Sequence, residues 1–413
     1  MKHVKYGQCI KCGKTYEATP NLTTCDCGGI LEIVYDYEYI KASFTKEDLA
    51  NCKDQTMWRY EPLLPVEKGG KKPPLKVGGS PLYNAPALAE KLGIAKLWVK
   101  DDGLNPTASL KDRASAMAVA KALEAGATTI ACSSTGNAAS SLAGNAAAAG
   151  LKTYIFVPSR APKGKVAQLM TFGANVISVQ GSYEDTFDLS KEAIDKWGWY
   201  NRNAAINPYL SEGKKTVGLE IMEQLGWEVP DFIAISVGDG CTIAGLWKGL
   251  KDLYAIGFID KLPHLISAQA EGCYPLNRAI ETGEDWFPME ENTLADSIAV
   301  GVPRNADKAL NAIRESGGLT VNVSDEEIMA AQKLLGQTCG VFGEPAGVTG
   351  AAGLKKLCEA GKIPADAKVV SVVTGNGLKD VANAIAACGE PITIPSDMDL
   401  LLKAFADKGM VVE

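Results

Sequence analysis

The chain has 413 residues, 46% of them hydrophobic and 22% charged, with a formal net charge of −7; that length exceeds a single core, and the composition excludes a disordered or fibrous protein. The acidic balance, with no basic stripe interleaved with aromatics, excludes a nucleic-acid partner and leaves small molecules as the expected ones. No apolar run approaches the roughly 18 residues of a membrane span, and Met1-Lys2-His3 opens polar sequence and not a signal-peptide core, so a cytoplasmic protein with no membrane partner is expected.

Residues 1–40 read as a separate segment, because Cys9, Cys12, Cys25 and Cys27 fall among glycines at 13, 28 and 29. Four soft thiolates at two turns resemble the ligand set of a zinc ribbon, a closed tetrahedral site whose metal is structural. The second pair is Cys-x-Cys, and that spacing strains chelation. The total of 11 cysteines is odd and scattered over a long chain, which suits reduced thiols better than a disulfide framework. Cys132 and Cys241 read as small apolar residues.

A polar, proline-bearing connection leads to about residue 80. Beyond it LWVK (97–100), TTIACS (128–133), KTYIFVP (152–158), NVISVQ (175–180), DFIAISV (231–237), HLISAQA (264–270) and KVVSVVTG (368–375) predict buried strands, each followed by a helical pattern. Such alternation predicts an α/β fold of open parallel sheets covered by helices. The alanine-rich run 138–149 predicts a closely packed helix.

In parallel sheets ligands bind beyond the carboxyl ends of strands, and turn-forming motifs stand there: STGN (134–137), VGDGCT (237–242) and TGNGLKD (374–380). No GxGxxG follows a strand, and Gly213-Lys214-Lys215-Thr216 lacks the earlier glycine of a P-loop. Backbone N–H groups at 238–242, opening a helix near Ile243, form a potential phosphate cradle. A carboxylate at Asp239 suits that cradle only if it points away. Ser134, Thr135 and Asn137 could hold a carboxylate, but Ser and Thr are also ordinary helix caps. NPTASLKDR (105–113) places Lys111 at a helix start, where partial burial or a nearby positive charge would make its amine a nucleophile. With only His3 and His264, a serine triad or polyhistidine metal centre is excluded, so proton transfer rests on lysine, carboxylate, hydroxyl or a cofactor.

The set resembles the pyridoxal-phosphate enzymes of the tryptophan-synthase β type (fold type II), and most closely the threonine synthases. These carry NPTGSFKDR where this chain has NPTASLKDR, the same STGN turn, and TGHGLKD where this chain has TGNGLKD. Further similar runs are VKDDGLNP (99–106), INPYLSEGKKT (206–216), WKGLKDL (247–253) and GVFGEPA (340–346), so the resemblance spans about residues 75 to 390. It implies that Lys111 holds the cofactor as a Schiff base and acts as acid and base, and that Asn137 bonds the pyridine 3-oxygen. It further implies that Gly238, Asp239, Gly240, Cys241 and Thr242 cradle the cofactor phosphate and that Thr374 faces the pyridine nitrogen. Ser134, Thr135 and Gly136 would take the substrate carboxylate.

The implied organisation is a larger cofactor-binding α/β domain (75–112 and 205–392), a smaller mobile α/β domain (113–204) that closes over the site, and a tail (393–413), in a homodimer. The chain departs from the pattern at Ala108, Leu110 and Asn376. It also has Leu210 and Ser211 after NPY, where many threonine synthases carry an arginine for the substrate phosphate. Lys100, Arg160, Lys163 or Lys214 could supply that charge. The expected reaction is O-phosphohomoserine plus water to threonine plus phosphate. The alternatives are a β-replacement enzyme such as a cysteate synthase (phosphoserine plus sulfite), a serine or threonine dehydratase, and a non-catalytic zinc-ribbon binding protein.

Overall fold

The computed structural model describes residues 1–159 and 163–410. At the N-terminus, β1 (Val4–Cys9) pairs antiparallel with β2 (Thr15–Tyr16) and β3 (Leu31–Tyr35). Strict alternation along β3 sends Leu31, Ile33 and Tyr35 inward. Two short helices, α1 (Tyr37–Ser43) and α2 (Lys46–Ala50), and a 3-10 stretch at Met57–Leu63 then cross to the larger lobe.

From there the chain runs through β4 (Leu82–Asn84), α3 (Pro86–Leu92), β5 (Lys96–Asp101) and α4 (Lys111–Glu124). Next come β6 (Thr129–Ser133), α5 (Asn137–Ala148), β7 (Lys152–Pro158), α6 (Lys163–Thr171), β8 (Asn175–Val179), α7 (Tyr183–Trp197) and β9 (Tyr200–Asn201). The return leg is α8 (Tyr209–Lys214), α9 (Thr216–Gln224), β10 (Phe232–Ser236), α10 (Cys241–Ala255), β11 (His264–Ala270), α11 (Pro275–Thr282), α12 (Ala306–Glu315) and β12 (Leu319–Val323). It ends with α13 (Asp325–Cys339), α14 (Pro345–Glu359), β13 (Lys368–Val373), α15 (Val381–Cys388) and α16 (Met398–Asp407).

Six strands form one sheet in the order β12-β11-β10-β13-β5-β4, parallel throughout except for β4 at the edge. Its central strands are apolar on both faces because helices cover both. Ile233, Ile235, Val370 and Val372 enter the core shared with α9, α10 and α12. Ala234 and Val369 enter the core shared with α3, α13 and α14. A second, fully parallel sheet has the order β8-β7-β6-β9.

Helix α4 joins the two lobes. Ala116, Met117 and Ala120 pack into the larger core, whereas Ala114, Ala118, Val119 and Ala122 pack into the smaller one. Small residues on every side let it be buried all round, as a helix between two cores requires. Its first residue is Lys111, so the amine is delivered to the junction between the lobes.

Candidate active site

The loop before Lys111 is fastened to the end of β13. Leu110 N–H donates to Thr374 O at 2.8 Å, Asn376 N–H donates to Ala108 O at 3.0 Å, and Ser109 bridges Gly375. Ala108 sits at φ 68°, in the left-handed region, where a side chain costs about 1–2 kcal/mol. The rest of NPTASLKDR braces the lysine. Asp112 accepts from Thr107 N–H at 2.8 Å, Thr107 Oγ1 at 2.9 Å and Asn145 Nδ2 at 2.8 Å. Arg113, fully buried, donates to Asp102 at 2.7 and 2.8 Å and to Glu220 at 2.6 and 2.7 Å. Lys111 itself is half-buried. Burial pushes its pKa down to about 8, repulsion from Lys214 and Arg202 adds to the shift, and Cys241 and Asp239 oppose it.

The other predicted loops gather round this amine. At the end of β6, Gly136 is the N-cap of α5 and no side chain caps the helix, so neither Ser134 nor Thr135 serves as its cap. Asn137 opens α5 with its Nδ2 donating to Glu344 Oε1 at 2.6 Å. Glu344 N–H in turn donates to Gly375 O at 2.9 Å, and a Cβ on Gly375 would lie 1.9 Å from the Glu344 carboxylate, which is why this position is glycine. Hydrogen bonds therefore link Asn137 through Glu344 to Gly375, next to Thr374, whose carbonyl holds Leu110 N–H.

The glycine loop after β10 turns into α10 at Cys241, two residues earlier than the predicted start. Gly240 makes that turn at φ 82°, and a Cβ there would lie 2.6 Å from Ala309 Cβ. The Asp239 carboxylate is held within the loop, accepting from Arg304 N–H at 2.7 Å and from Cys241 Sγ at 3.1 Å. Thr242 is buried in the first turn. Burial pushes the Cys241 thiol up to about 11, which leaves it protonated.

Lys100 is a correction. Its ammonium is fully buried and saturated by Ser80 O at 2.7 Å, Glu220 Oε2 at 2.8 Å and Gln224 Oε1 at 2.8 Å, so it braces Glu220 and is closed to a substrate phosphate. Arg160 lies outside the described residues. Leu210 and Ser211 are buried, Leu210 within the core of the smaller lobe. Sequence reasoning missed the bracing residues Asp112, Arg113, Asp102 and Glu220, and it missed Glu344. The GVFGEPA run marks that stretch but not the bond to Asn137, 207 residues away.

The four N-terminal thiolates converge, all within 4.8 Å of one another. Cys9–Cys27, Cys12–Cys25 and Cys12–Cys27 are 3.6, 3.5 and 3.5 Å apart, close to the ~3.8 Å edge of a tetrahedron with metal–sulfur bonds of ~2.3 Å. The Cys-x-Cys pair closes the set despite its short spacing. The segment grips both lobes: Tyr200 and Tyr209 hydroxyls donate to Pro20 O at 2.9 Å and to Thr19 O at 2.6 Å.

A family model described as pyridoxal-phosphate dependent enzyme matches residues 74–375. The threonine synthase of Methanocaldococcus jannaschii is 44% identical over 397 residues, covering 95% of this chain and 98% of that protein. The threonine synthase of Methanosarcina acetivorans is 42% identical over 99% of this chain and all of its own length. Among solved structures, diaminopropionate ammonia lyase from Escherichia coli superposes with a TM-score of 0.65 at 19% identity, over 82% of this chain and 92% of that one. A threonine deaminase from Solanum lycopersicum gives 0.64 at 22% identity, over 75% and 87%. At such identities the solved structures show the fold alone.

Proposed function

The chain belongs to the pyridoxal-phosphate-dependent enzymes and, within them, to the threonine synthases, and from that premise we propose how its own residues convert O-phosphohomoserine and water to threonine and phosphate. The observation that carries the reading is the placement of Lys111: a half-buried amine with its pKa brought down to about 8, braced where both lobes and three loops meet. The residues fit the cofactor. Lys111 would hold its aldehyde carbon, the 238–242 turn and the open N-terminus of α10 its phosphate, Asn137 its ring oxygen and Thr374 its ring nitrogen. When bound, the cofactor supplies the electron sink for charge developing on the substrate.

The protein's share of the chemistry is binding, orientation and proton movement. Ser134, Thr135 and Gly136 would take the substrate carboxylate through the two hydroxyls and the N–H groups of the turn, Gly136 N–H first giving up its 3.2 Å bond to Ser134 Oγ. Lys111, its amine free while substrate is bound, would take the proton from Cα and then one from Cβ; the Cγ–oxygen bond to phosphate breaks and Cγ gains a proton, a water oxygen bonds to Cβ as that water gives up a proton, and a proton returns to Cα. A base that is neutral near pH 8 suits both directions of transfer. Closure of the smaller lobe along α4 would exclude bulk water until the leaving phosphate is gone.

Cys9, Cys12, Cys25 and Cys27 would hold a zinc ion with no open position, so its contribution is structural. The tetrahedral spacing of the four sulfurs supports this. On family resemblance the enzyme acts as a homodimer in the cytoplasm, and among the described residues no helix is long and apolar enough to cross a membrane.

The test is a substrate comparison with the cofactor-loaded protein. Phosphohomoserine should yield equal amounts of threonine and phosphate. Leu210 and Ser211 in place of the expected arginine favour one competitor, phosphoserine with sulfite; turnover of that pair without turnover of phosphohomoserine would replace the named reaction while leaving the roles of Lys111 and the cofactor intact.

A further inference from the structure

Every other well-buried lysine in the larger lobe is accounted for. Lys100 pairs with Glu220, Lys215 with Glu212 and Asp252, and Lys248 with Asp252. Lys121 pairs with Glu124, and Lys308 donates to Leu31 O at 2.5 Å. Lys214, the last residue of α8, is 3% exposed, yet among the described residues it has no ion pair or hydrogen bond. The stem is buried while Nζ itself keeps some contact with solvent, which leaves an unpaired cation open to an anion.

Its position says where that counter-ion sits. The Lys214 stem runs against α10: a Cβ on Gly245, one turn from Cys241, would be 2.9 Å from Lys214 Cβ. Its charge is felt by both Lys111 and Cys241, which flank the mouth of the glycine loop. The first turn of α10 presents N–H groups with no side-chain cap. The nearby carboxylate, Asp239, is committed to Arg304 N–H and Cys241 Sγ. The Lys214 cation and the N-terminus of a 15-residue helix together suit a dianion better than a monoanion.

We propose that Lys214 is the counter-ion of a phosphate monoester seated between the N-terminus of α10 and Lys111, an assignment that rests on the functional reading above. The monoester group is carried by the cofactor and also by the substrate, and binding separates the two sources. Lys214→Met and Lys214→Arg are compared with the unmodified protein using pyridoxal phosphate, pyridoxal lacking the phosphate, and inorganic phosphate as an inhibitor competing with phosphohomoserine.

If the cofactor is the source, Lys214→Met weakens pyridoxal phosphate about tenfold or more, leaves pyridoxal within about twofold, and Lys214→Arg recovers most of the loss. If the substrate is the source, cofactor affinity holds and inhibition by inorganic phosphate weakens instead. Unchanged binding of both probes by Lys214→Met overturns the proposal. A second readout needs no catalysis. Lys214→Met should abolish the rise in melting temperature that the cofactor-free protein gains from inorganic phosphate; an undiminished rise overturns the proposal. Should the protein take up no pyridoxal phosphate while phosphate still stabilises only the unmodified form, the functional reading falls and the anion site stands.

Discussion

Replacing Glu220 by glutamine should uncover a buried positive charge beneath the active-site lysine. Glu220 is 2% exposed and meets Arg113 at 2.6 and 2.7 Å and Lys100 at 2.8 Å, with Asp102 as the other anion of the cluster. Two cations and two anions balance; the substitution leaves one cation over. Breaking a buried pair on one side costs about 3–5 kcal/mol. The titration of Glu220 leads to a similar figure. Burial alone would raise its pKa, but Arg113 and Lys100 overcome that and hold it down to about 2 from 4.5, which corresponds to about 3 kcal/mol of stability at neutral pH. Because the folded pKa is the lower one, this stability is complete above the unfolded pKa near 4.5 and is lost as the pH falls toward 2. Denaturant unfolding of both proteins at pH 7 and pH 3 should show a gap of about 3 kcal/mol or more that narrows by about 2 kcal/mol at the lower pH. A gap below about 1 kcal/mol, or one indifferent to pH, would refute a charge-balanced cluster.

Three further outcomes follow from the same geometry. Lys111 must be neutral to capture pyridoxal phosphate, and its pKa is lowered to about 8, so the capture rate of cofactor-free protein should rise about tenfold per pH unit below 8 and level off above it; a rate still climbing at pH 10 would mean an ordinary exposed lysine. Ala108→Gly relieves a φ of 68° and should stabilise the protein by about 0.5–1 kcal/mol after the extra freedom of the unfolded glycine is discounted, read as a higher melting temperature. Metal removal by a chelator, or Cys25→Ser, should lower the melting temperature by several degrees, about 2–4 °C per kcal/mol for a large domain, and expose Tyr200 and Tyr209 to solvent through loss of their bonds to Pro20 and Thr19.

The elements legible in the sequence were those whose burial is two-sided. Runs such as DFIAISV and KVVSVVTG are continuous apolar blocks because both faces of β10 and β13 meet helices, and nothing in them competes with the strand reading. Strands β4, β9 and β12 escaped notice: β4 and β9 are 3 and 2 residues long, and Leu319–Val323 alternates with polar residues at the sheet edge. The loops were legible for a local reason, since glycine and hydroxyl residues after a strand are a chain-neighbour signal. Charge pairing was not. Lys100 reads as a spare cation because its partner Glu220 is 120 residues away, and Lys214 reads like Lys215 beside it although, among the described residues, Lys215 is paired with carboxylates and Lys214 is not.

The central claim is that the amine at the start of α4 is the one that takes the cofactor. Reducing the pyridoxal-phosphate-loaded protein with borohydride and mapping the label by peptide mass tests it directly. The account predicts a single stable label on Lys111 and none after Lys111→Ala. A label on Lys214, or on any other lysine of the unmodified protein in place of Lys111, would contradict it.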